Sequence, residues 1–345
     1  MKILAIEHAI PSRRLTNDWV ADELGRQSGA RLGLHDAEAL KRRVVEFLEG
    51  AGSEIRYQTG EHERAIDLAL EASRRALLSA KTLPAAVDLV IYAGVGRGWL
   101  EPAMAHLIQG ELGLANASCF DVLDGCASWL RALQVARLYV RDAGCKRVLI
   151  VTCECGFRSY GEWQITSLDD LEHYQATFTI GEASTATIVS DDDADDDYYF
   201  TFKSFGRYYD LCMIPLPGAR DFLTRSPEPR HDTTKFYALS SELLKVGVAK
   251  VVELFRADPR LRGGTYDVAF GHEASAKASE LIARALQIPP EKSFVTHAQF
   301  GNTVSSSVPL GMSLAVEQGR LQRGDRVLAI VAGSGISIGF ASFTF

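Results

Sequence analysis

Residues 119–144 read CFDVLDGCASWLRALQVARLYVRDAG, and residues 300–324 read FGNTVSSSVPLGMSLAVEQGRLQRG. In each, a glycine stands just before a residue of chemical interest, Cys126 or Asn302, and an apolar segment follows. From 127 to 139 the polar side chains are Ser128, Arg131, Gln134 and Arg137, one at every third position. The others include Trp129, Leu130, Leu133 and Val135. That spacing predicts a helix apolar over most of its surface, and therefore buried. A helix N-terminus carries free N–H groups and a positive partial charge. Both lower a thiol pKa and favour the nucleophilic thiolate. Cys126 is then either a nucleophile at the head of a buried helix or a small inert core residue.

The two stretches occupy equivalent places in a duplication. In the first part a helix (RAIDLALEASRRALLSA, from Arg64) leads to a strand introduced by aspartate (VDLVIYAGV, from Val87). Another helix, the Cys126 stretch and the strand KRVLIVTCE follow. In the second part a helix (FYALSSELLKVGVAKVVELF, from Phe236) leads to YDVAFGHEAS, from Tyr266. Another helix, the Asn302 stretch and DRVLAIVAGSG follow. Asp88 to Cys126 spans 38 positions and Asp267 to Asn302 spans 35; Cys126 to Arg147 spans 21 and Asn302 to Arg326 spans 24. Each part closes on a glycine-led alternating strand, GEASTATIVS from Gly181 and GSGISIGFASFTF from Gly333.

Strands alternating with helices predict an α/β protein with largely parallel sheets. Two units of this length pair about a pseudo-twofold axis and do not make a solenoid, which needs several short repeats. The expected division is an N-terminal half, 1–200, carrying Cys126, and a C-terminal half, 201–345, carrying His272 and Asn302. Residues 201–232, rich in Gly, Pro and Arg, read as a surface insertion capping a substrate entrance.

With 345 residues, 47% apolar and 23% charged, the chain is of ordinary globular composition. A net charge of −7 argues against a general nucleic-acid-binding role. The acidic run Asp191–Asp197 lacks the spaced ligands and glycine turn of a calcium loop and reads as a solvated turn. The six cysteines form no C-x-x-C pair, so no metal is expected. Cys119 and Cys145 read as buried inert cysteines, as do Cys153 and Cys155, two apart in an apolar strand. No stretch approaches the roughly 20 apolar residues of a membrane span, and the opening residues lack a signal-peptide run. The expectation is a reduced, cytoplasmic protein without membrane association.

The repeat puts His272 just after the strand equivalent to VIYAGV. Cys126, His272 and Asn302 would all lie at C-terminal strand ends or helix N-termini, where α/β sites form. Taken singly, His272 could be a satisfied core histidine, Asn302 a helix cap, and Gly333-Ser334-Gly335 only a tight turn. His297 and His106 read as structural. Pro102, with Glu101 before it, reads as a helix start.

With these motifs the chain resembles the thiolase superfamily, and within it the ketoacyl synthase III-like condensing enzymes, over nearly its whole length. AIPSRRLTND resembles the family's opening segment, FDVLDGCASWLRALQVA its nucleophile segment and GHEASAKASELI its histidine motif. FGNTVSSSVPLGMSLA and GDRVLAIVAGSGISIGFA resemble its asparagine motif and final strand pair. The resemblance implies two pseudo-duplicated α/β halves in a five-layered α-β-α-β-α arrangement. It also implies a Cys126–His272–Asn302 triad. Cys126 would take an acyl group from a thioester. A second thioester would attack it through its α-carbon, with His272 and Asn302 donating hydrogen bonds to the developing enolate. The N–H groups of Cys126 and Gly335 would hold the tetrahedral oxyanion.

LEPAMA, from Leu100, resembles a segment of head-to-head condensing enzymes of olefin pathways and of α-pyrone-forming ketosynthases. There a glutamate from the partner subunit acts as base. Glu101 would do so here, with a pKa raised in an apolar tunnel. The implied function is Claisen condensation of two acyl or β-ketoacyl thioesters in a specialised polyketide, α-pyrone or long-chain lipid pathway. Three alternatives stand beside it: a decarboxylative synthase using malonyl thioester, a non-catalytic partner subunit, and an O-acyltransferase, the last disfavoured by Asn302. Expected partners are acyl carrier protein or coenzyme A thioesters and a second copy of the chain, with no cofactor beyond these substrates. Lys277 matches a carrier-contacting basic residue, although a solvated helix face explains it equally well. His272-Glu273-Ala274-Ser275 departs from the family's usual His-Gln-Ala-Asn, and Gly181-Glu182-Ala183-Ser184 from its Gly-Asp-Gly-Ala.

Overall fold

The computed structural model describes residues 1–192, 197–226 and 228–345. Two five-stranded sheets carry the architecture. In the first, spatial order runs Lys2–Ala9, Ala183–Ser190, Arg147–Glu154, Leu89–Ala93, Ser118–Val122. In the second it runs Tyr199–Tyr208, Gly335–Thr344, Arg326–Gly333, Val268–Gly271, Ser293–Phe294. The two orders correspond strand for strand. Leu89–Ala93 pairs in parallel with both neighbours, and so does Val268–Gly271. The remaining two pairings in each sheet are antiparallel. The sheets are therefore mixed, where largely parallel ones were expected. The strand closing each half returns without a crossover helix, which antiparallel pairing permits. Both faces of each sheet are covered, so its strands read alike whatever their direction.

Side-chain alternation builds the layers. Ile91 and Ile150 point inward, to a core shared with Trp129, Leu130 and Leu133 of the Ser128–Asp142 helix and Val308 and Met312 of the Ser307–Glu317 helix. Phe270, Ala329 and Val331 close this core from the second sheet. Val90, Tyr92 and Leu149 point outward, to Leu68 and Ala72 of the Ala65–Ser79 helix. Leu328 and Phe340 do the same against Val251 and Phe255 of Ser240–Ala257. The result is α-β-α-β-α, with two buried helices in the middle layer.

The repeat extends to single hydrogen bonds. Asp88 donates its N–H to the Arg147 carbonyl at 2.9 Å, and its Oδ2 accepts from the Arg147 N–H at 3.0 Å. Asp267 donates to the Arg326 carbonyl at 2.8 Å and accepts the Arg326 N–H at 2.8 Å. In both halves this aspartate pins the start of one parallel strand to the next.

The expected surface insertion needs correction. Residues 201–208 belong to the Tyr199–Tyr208 strand, paired with Gly335–Thr344. Phe202 lies flat over Gly339, where any Cβ would stand 2.2 Å from its ring, and the Arg131 guanidinium sits 3.6 Å above it. Gly206 and the charges at Lys203 and Arg207 disguise this strand in the sequence. The chain after 208, the rest of the expected cap, is folded as short turns and a ribbon of Cys212–Met213 with Tyr237–Ala238. Of the acidic run, residues 193–196 lie outside the described residues. Asp197 is not merely solvated: it accepts from Thr344 and pairs with Arg326. Cys119 and Cys145 are only partly buried, whereas Cys153 and Cys155 are buried. Among the described residues no helix is long and apolar enough to cross a membrane.

Candidate active site

Two glycine turns define the position of Cys126. Gly125 has φ +53°, and a Cβ there would stand 2.6 Å from Ser334 Oγ. From the other side, a Cβ on Gly333 would meet the Asp124 carbonyl at 3.0 Å and the Cys126 nitrogen at 3.4 Å. The turn linking the last two strands thus lies directly against the Cys126 loop, and Gly335 (φ +122°) follows in that turn. Asp124 fastens the loop further, accepting from the Ser337 hydroxyl at 2.8 Å and pairing with Arg131 at 3.0 Å.

The helix starts at Ser128, two residues after Cys126, and Ser128 Oγ accepts from the Asp124 N–H at 2.8 Å. The thiol packs on the buried side chains of Phe157, Ile180 and Val304, with Ile214 and Phe236 of the chain after 208 beside them. Burial pushes its pKa well above the usual thiol range, and the nearby Cys212 thiol and Glu154 carboxyl push the same way. The sequence-based expectation of a lowered thiol pKa is therefore corrected. Desolvation outweighs the helix end, and the resting sulfur is protonated. Any nucleophilic role requires a base.

His272 carries a neutral imidazole. It ends the Val268–Gly271 strand, where its N–H donates to the Ile330 carbonyl at 2.8 Å. Its Nδ1 lies 3.2 Å from the Val304 carbonyl. A carbonyl only accepts, so Nδ1 carries the hydrogen and Nε2 the lone pair. Burial lowers the imidazole to about 4, so it is uncharged at neutral pH.

Asn302 is held by backbone on both sides. Its N–H donates to the Thr179 carbonyl at 2.8 Å, and its carbonyl accepts from Gly181 N–H at 3.1 Å. Gly301 must precede it: φ is +68°, and a Cβ would lie 2.4 Å from the Thr179 carbonyl. The side-chain Oδ1 accepts from Val304 N–H at 2.9 Å, which leaves the Nδ2 hydrogens for another acceptor. The long helix begins at Ser307, after a turn at Val304–Ser306, so Asn302 is not its cap.

Val304 joins two of the three residues directly. Its N–H binds Asn302 and its carbonyl binds His272, and it belongs to the hydrophobic cluster against which Cys126 packs. Its φ is +51°, a costly conformation for a β-branched residue, held here by bonds at both ends of the residue. Two of the residues that depart from the family pattern, Glu273 and Glu182, are buried acceptors. Glu273 accepts from Thr296 N–H (2.8 Å), His297 N–H (2.6 Å) and the Thr296 hydroxyl (3.2 Å), and burial raises it to about 8. Glu182 accepts from the N–H groups of Thr59, Gly156 and Phe157. His297 bridges the Glu273 carbonyl and Ser53 inside the protein, matching its structural reading.

Glu101 and Lys277 lie apart from this cluster. Glu101 is exposed, in the loop before the Met104–Glu111 helix. Pro102 does not start that helix as expected: its first amides, Met104 and Ala105, are capped by Asp121 at 2.9 and 3.0 Å. Trp99 and Leu100 beside Glu101 are exposed as well, as is Leu123 in the Cys126 loop. Lys277 is exposed and pairs with Glu280 at 3.0 Å on its own helix. Sequence reasoning passed over Val304, whose role is played by its backbone, and the buried pair Ser305–Glu154 behind it.

Residues 258–345 match the family model described as 3-oxoacyl-[acyl-carrier-protein (ACP)] synthase III C terminal. The β-ketoacyl-[acyl-carrier-protein] synthase III of Methylococcus capsulatus is 29% identical over 298 residues, covering 86% of this chain and 88% of that protein. The enzyme of the same name from Aliarcobacter butzleri is 29% identical over 301 residues, covering 85% and 87%. Among solved structures, 3-oxoacyl-[acyl-carrier-protein] synthase III from Aquifex aeolicus superposes with TM-score 0.78 at 22% identity, covering 100% of this chain and 99% of that one. An OleA from Xanthomonas campestris superposes with TM-score 0.82 at 21% identity, covering 99% and 96%.

Proposed function

We propose that the chain is a ketoacyl synthase III-like condensing enzyme of the thiolase superfamily, and that it joins two acyl or β-ketoacyl thioesters, carried by coenzyme A or a carrier protein, through an acyl-Cys126 intermediate in a specialised pathway. The observation that carries this reading is that Val304 bonds both His272 and Asn302 and lies in the hydrophobic cluster against which Cys126 packs.

In the first stage the Cys126 proton passes to the lone pair of His272 Nε2, and the thiolate attacks the thioester carbonyl. The tetrahedral oxyanion takes hydrogen bonds from the N–H groups of Cys126 and Gly335. Its collapse breaks the C–S bond of the donor, and the departing thiolate takes the proton back from His272. In the second stage the α-carbon of another thioester becomes the nucleophile and attacks the acyl-cysteine. Asn302 Nδ2 donates to the enolate oxygen. His272 differs here from the expected pair of donors: with its one hydrogen on Nδ1, neutral His272 accepts, and it donates from Nε2 only when protonated. Glu101, delivered from a second copy of the chain, removes the α-proton. That proton balances the one taken up by the Cys126 thiolate as the product leaves.

A decarboxylative reaction with a malonyl thioester is the second reading. The exposure of Glu101 on a single chain favours it, since loss of CO₂ needs no such base.

Intact-mass analysis after incubation with an acyl thioester tests the first stage. Wild type gains one acyl group and Cys126→Ala gains none; an adduct persisting in Cys126→Ala rejects the assignment. Adding a β-ketoacyl thioester without a free carboxylate then separates the two readings, because only the first gives product.

A further inference from the structure

The Arg147–Glu154 strand ends on a carboxyl group that solvent does not reach. Glu154 Oε1 accepts from Val95 N–H at 3.0 Å and from the Ser305 hydroxyl, and Oε2 accepts from Gly96 N–H at 2.7 Å. The chain leaving the Leu89–Ala93 strand is wrapped round this group. Gly94 has φ +155°, and a Cβ there would lie 2.6 Å from Oε1 and 3.0 Å from Ser305 Oγ. A Cβ on Gly96 would stand 2.2 Å from the Cys153 carbonyl. Gly94 therefore serves the close approach of the loop to the carboxyl group, and Gly96 its approach to the backbone of the strand end that carries it.

The segments so joined are the two that the chemistry needs. Val95 and Gly96 open the loop that carries Glu101 five residues on. Ser305 directly follows Val304, to which Asn302 and His272 are bonded, and it also lies 3.2 Å from the Ala93 carbonyl. Burial raises the Glu154 carboxyl, while Ser305 and the N–H groups of Val95 and Gly96 favour its charged form. The group is a costly one to bury, and its partners are neutral donors from the site's own loops.

We propose that Glu154 is a positioning residue for the second half-reaction, locking the Glu101 loop against the turn that bears Asn302, Val304 and Ser305. This rests on the reading of Glu101 as the base. Glutamine at 154 keeps the shape and one acceptor oxygen but turns an N–H₂ toward one of the donors. The loop then loses its lock, while His272 keeps its bond to the Val304 carbonyl and the Cys126 thiol loses one of the influences that raise it.

The test measures the two half-reactions separately in wild type, Glu154→Gln, Ser305→Ala and Glu101→Gln. Cys126 acylation is followed by intact mass in a single turnover. Condensation is followed with a second thioester that has no free carboxylate. Glu154→Gln is expected to acylate within about 3-fold of wild type while condensation falls about 10- to 100-fold, the scale of a misplaced reacting group. Ser305→Ala shifts the same ratio in the same direction, and serves alone should Glu154→Gln fail to fold. With a malonyl thioester, which needs no base, the deficit shrinks. Equal loss in both half-reactions, or loss in neither, overturns the inference. Failure of the Glu101 reading has a separate signature, Glu101→Gln condensing as fast as wild type, and that result overturns both.

Discussion

The Val304 carbonyl accepts the Nδ1 hydrogen of His272 at 3.2 Å, and this bond decides which ring nitrogen is left to exchange protons. The ring is also buried enough to titrate at about 4. The consequence is a base that stays competent in acid. Acylation of Cys126 should lose rate only as pH falls toward about 4, not through the 6.5 of an exposed imidazole. The check is the pH dependence of single-turnover acylation. His272→Ala should lower that rate by about 10²–10⁴-fold, the usual range for a general base. An acid limb centred near 6.5 would contradict the burial argument.

Asn302→Asp separates holding from donating. Aspartate Oδ1 can still accept from Val304 N–H, so the turn keeps its anchor, but the Nδ2 donor is gone. Condensation should fall by about 10²–10³-fold, as for loss of one oxyanion donor. Acylation of Cys126 should change far less. Comparable loss in both steps would show that Asn302 serves the nucleophile and not the enolate.

Asp88 and Asp267 show what could be read before the structure. Their spacing to Cys126 and Asn302 announces a duplication, and each makes the same two backbone bonds to Arg147 or Arg326. That duplication also brought Cys126, His272 and Asn302 into one frame, since each is a polar residue at a strand end or turn. Other features left no such trace. Strand direction is silent when both faces of a sheet are buried. The Cys126 thiol pKa depends on packing by Phe157, Ile180 and Val304, which lie far apart in sequence. Val304 acts through its N–H and carbonyl, which every residue possesses. Glu154, at the end of an apolar strand, looks like the first solvated residue until Val95, Gly96 and Ser305 close over it.

Glu273 offers a test on stability. Its buried carboxyl titrates at about 8 in the folded protein and near 4.5 when free, so folding holds the proton more tightly. Its contribution is then most favourable below pH 4.5 and is lost as pH rises toward 8. Glutamine suits the site: its oxygen can accept from the Thr296 and His297 N–H groups, and its N–H₂ can donate to the Thr296 hydroxyl. Glu273→Gln should therefore stabilise the protein at pH 8 by on the order of 1–3 kcal/mol, with the gain vanishing below about pH 4.5. Urea unfolding at several pH values measures this. A gain independent of pH would place the effect in packing, not in ionisation.

Leu100→Glu tests whether a second copy completes the site. Leu100, next to Glu101 in the chain, is 68% exposed, and Trp99 beside it is exposed as well. Apolar side chains gathered at the one carboxylate assigned as a base are better explained by a covering partner than by solvent. A charge at position 100 would be buried without a counter-ion in such an interface, at a cost of several kcal/mol. In sedimentation the variant should shift toward single chains at concentrations where wild type is paired. Cys126 acylation depends on groups of one chain, so it should persist within a few-fold. Condensation without decarboxylation should fall by about tenfold or more, because Glu101 no longer reaches a neighbouring Cys126. A variant that stays paired and condenses normally would return Glu101 to the surface and leave decarboxylation as the source of the carbon nucleophile.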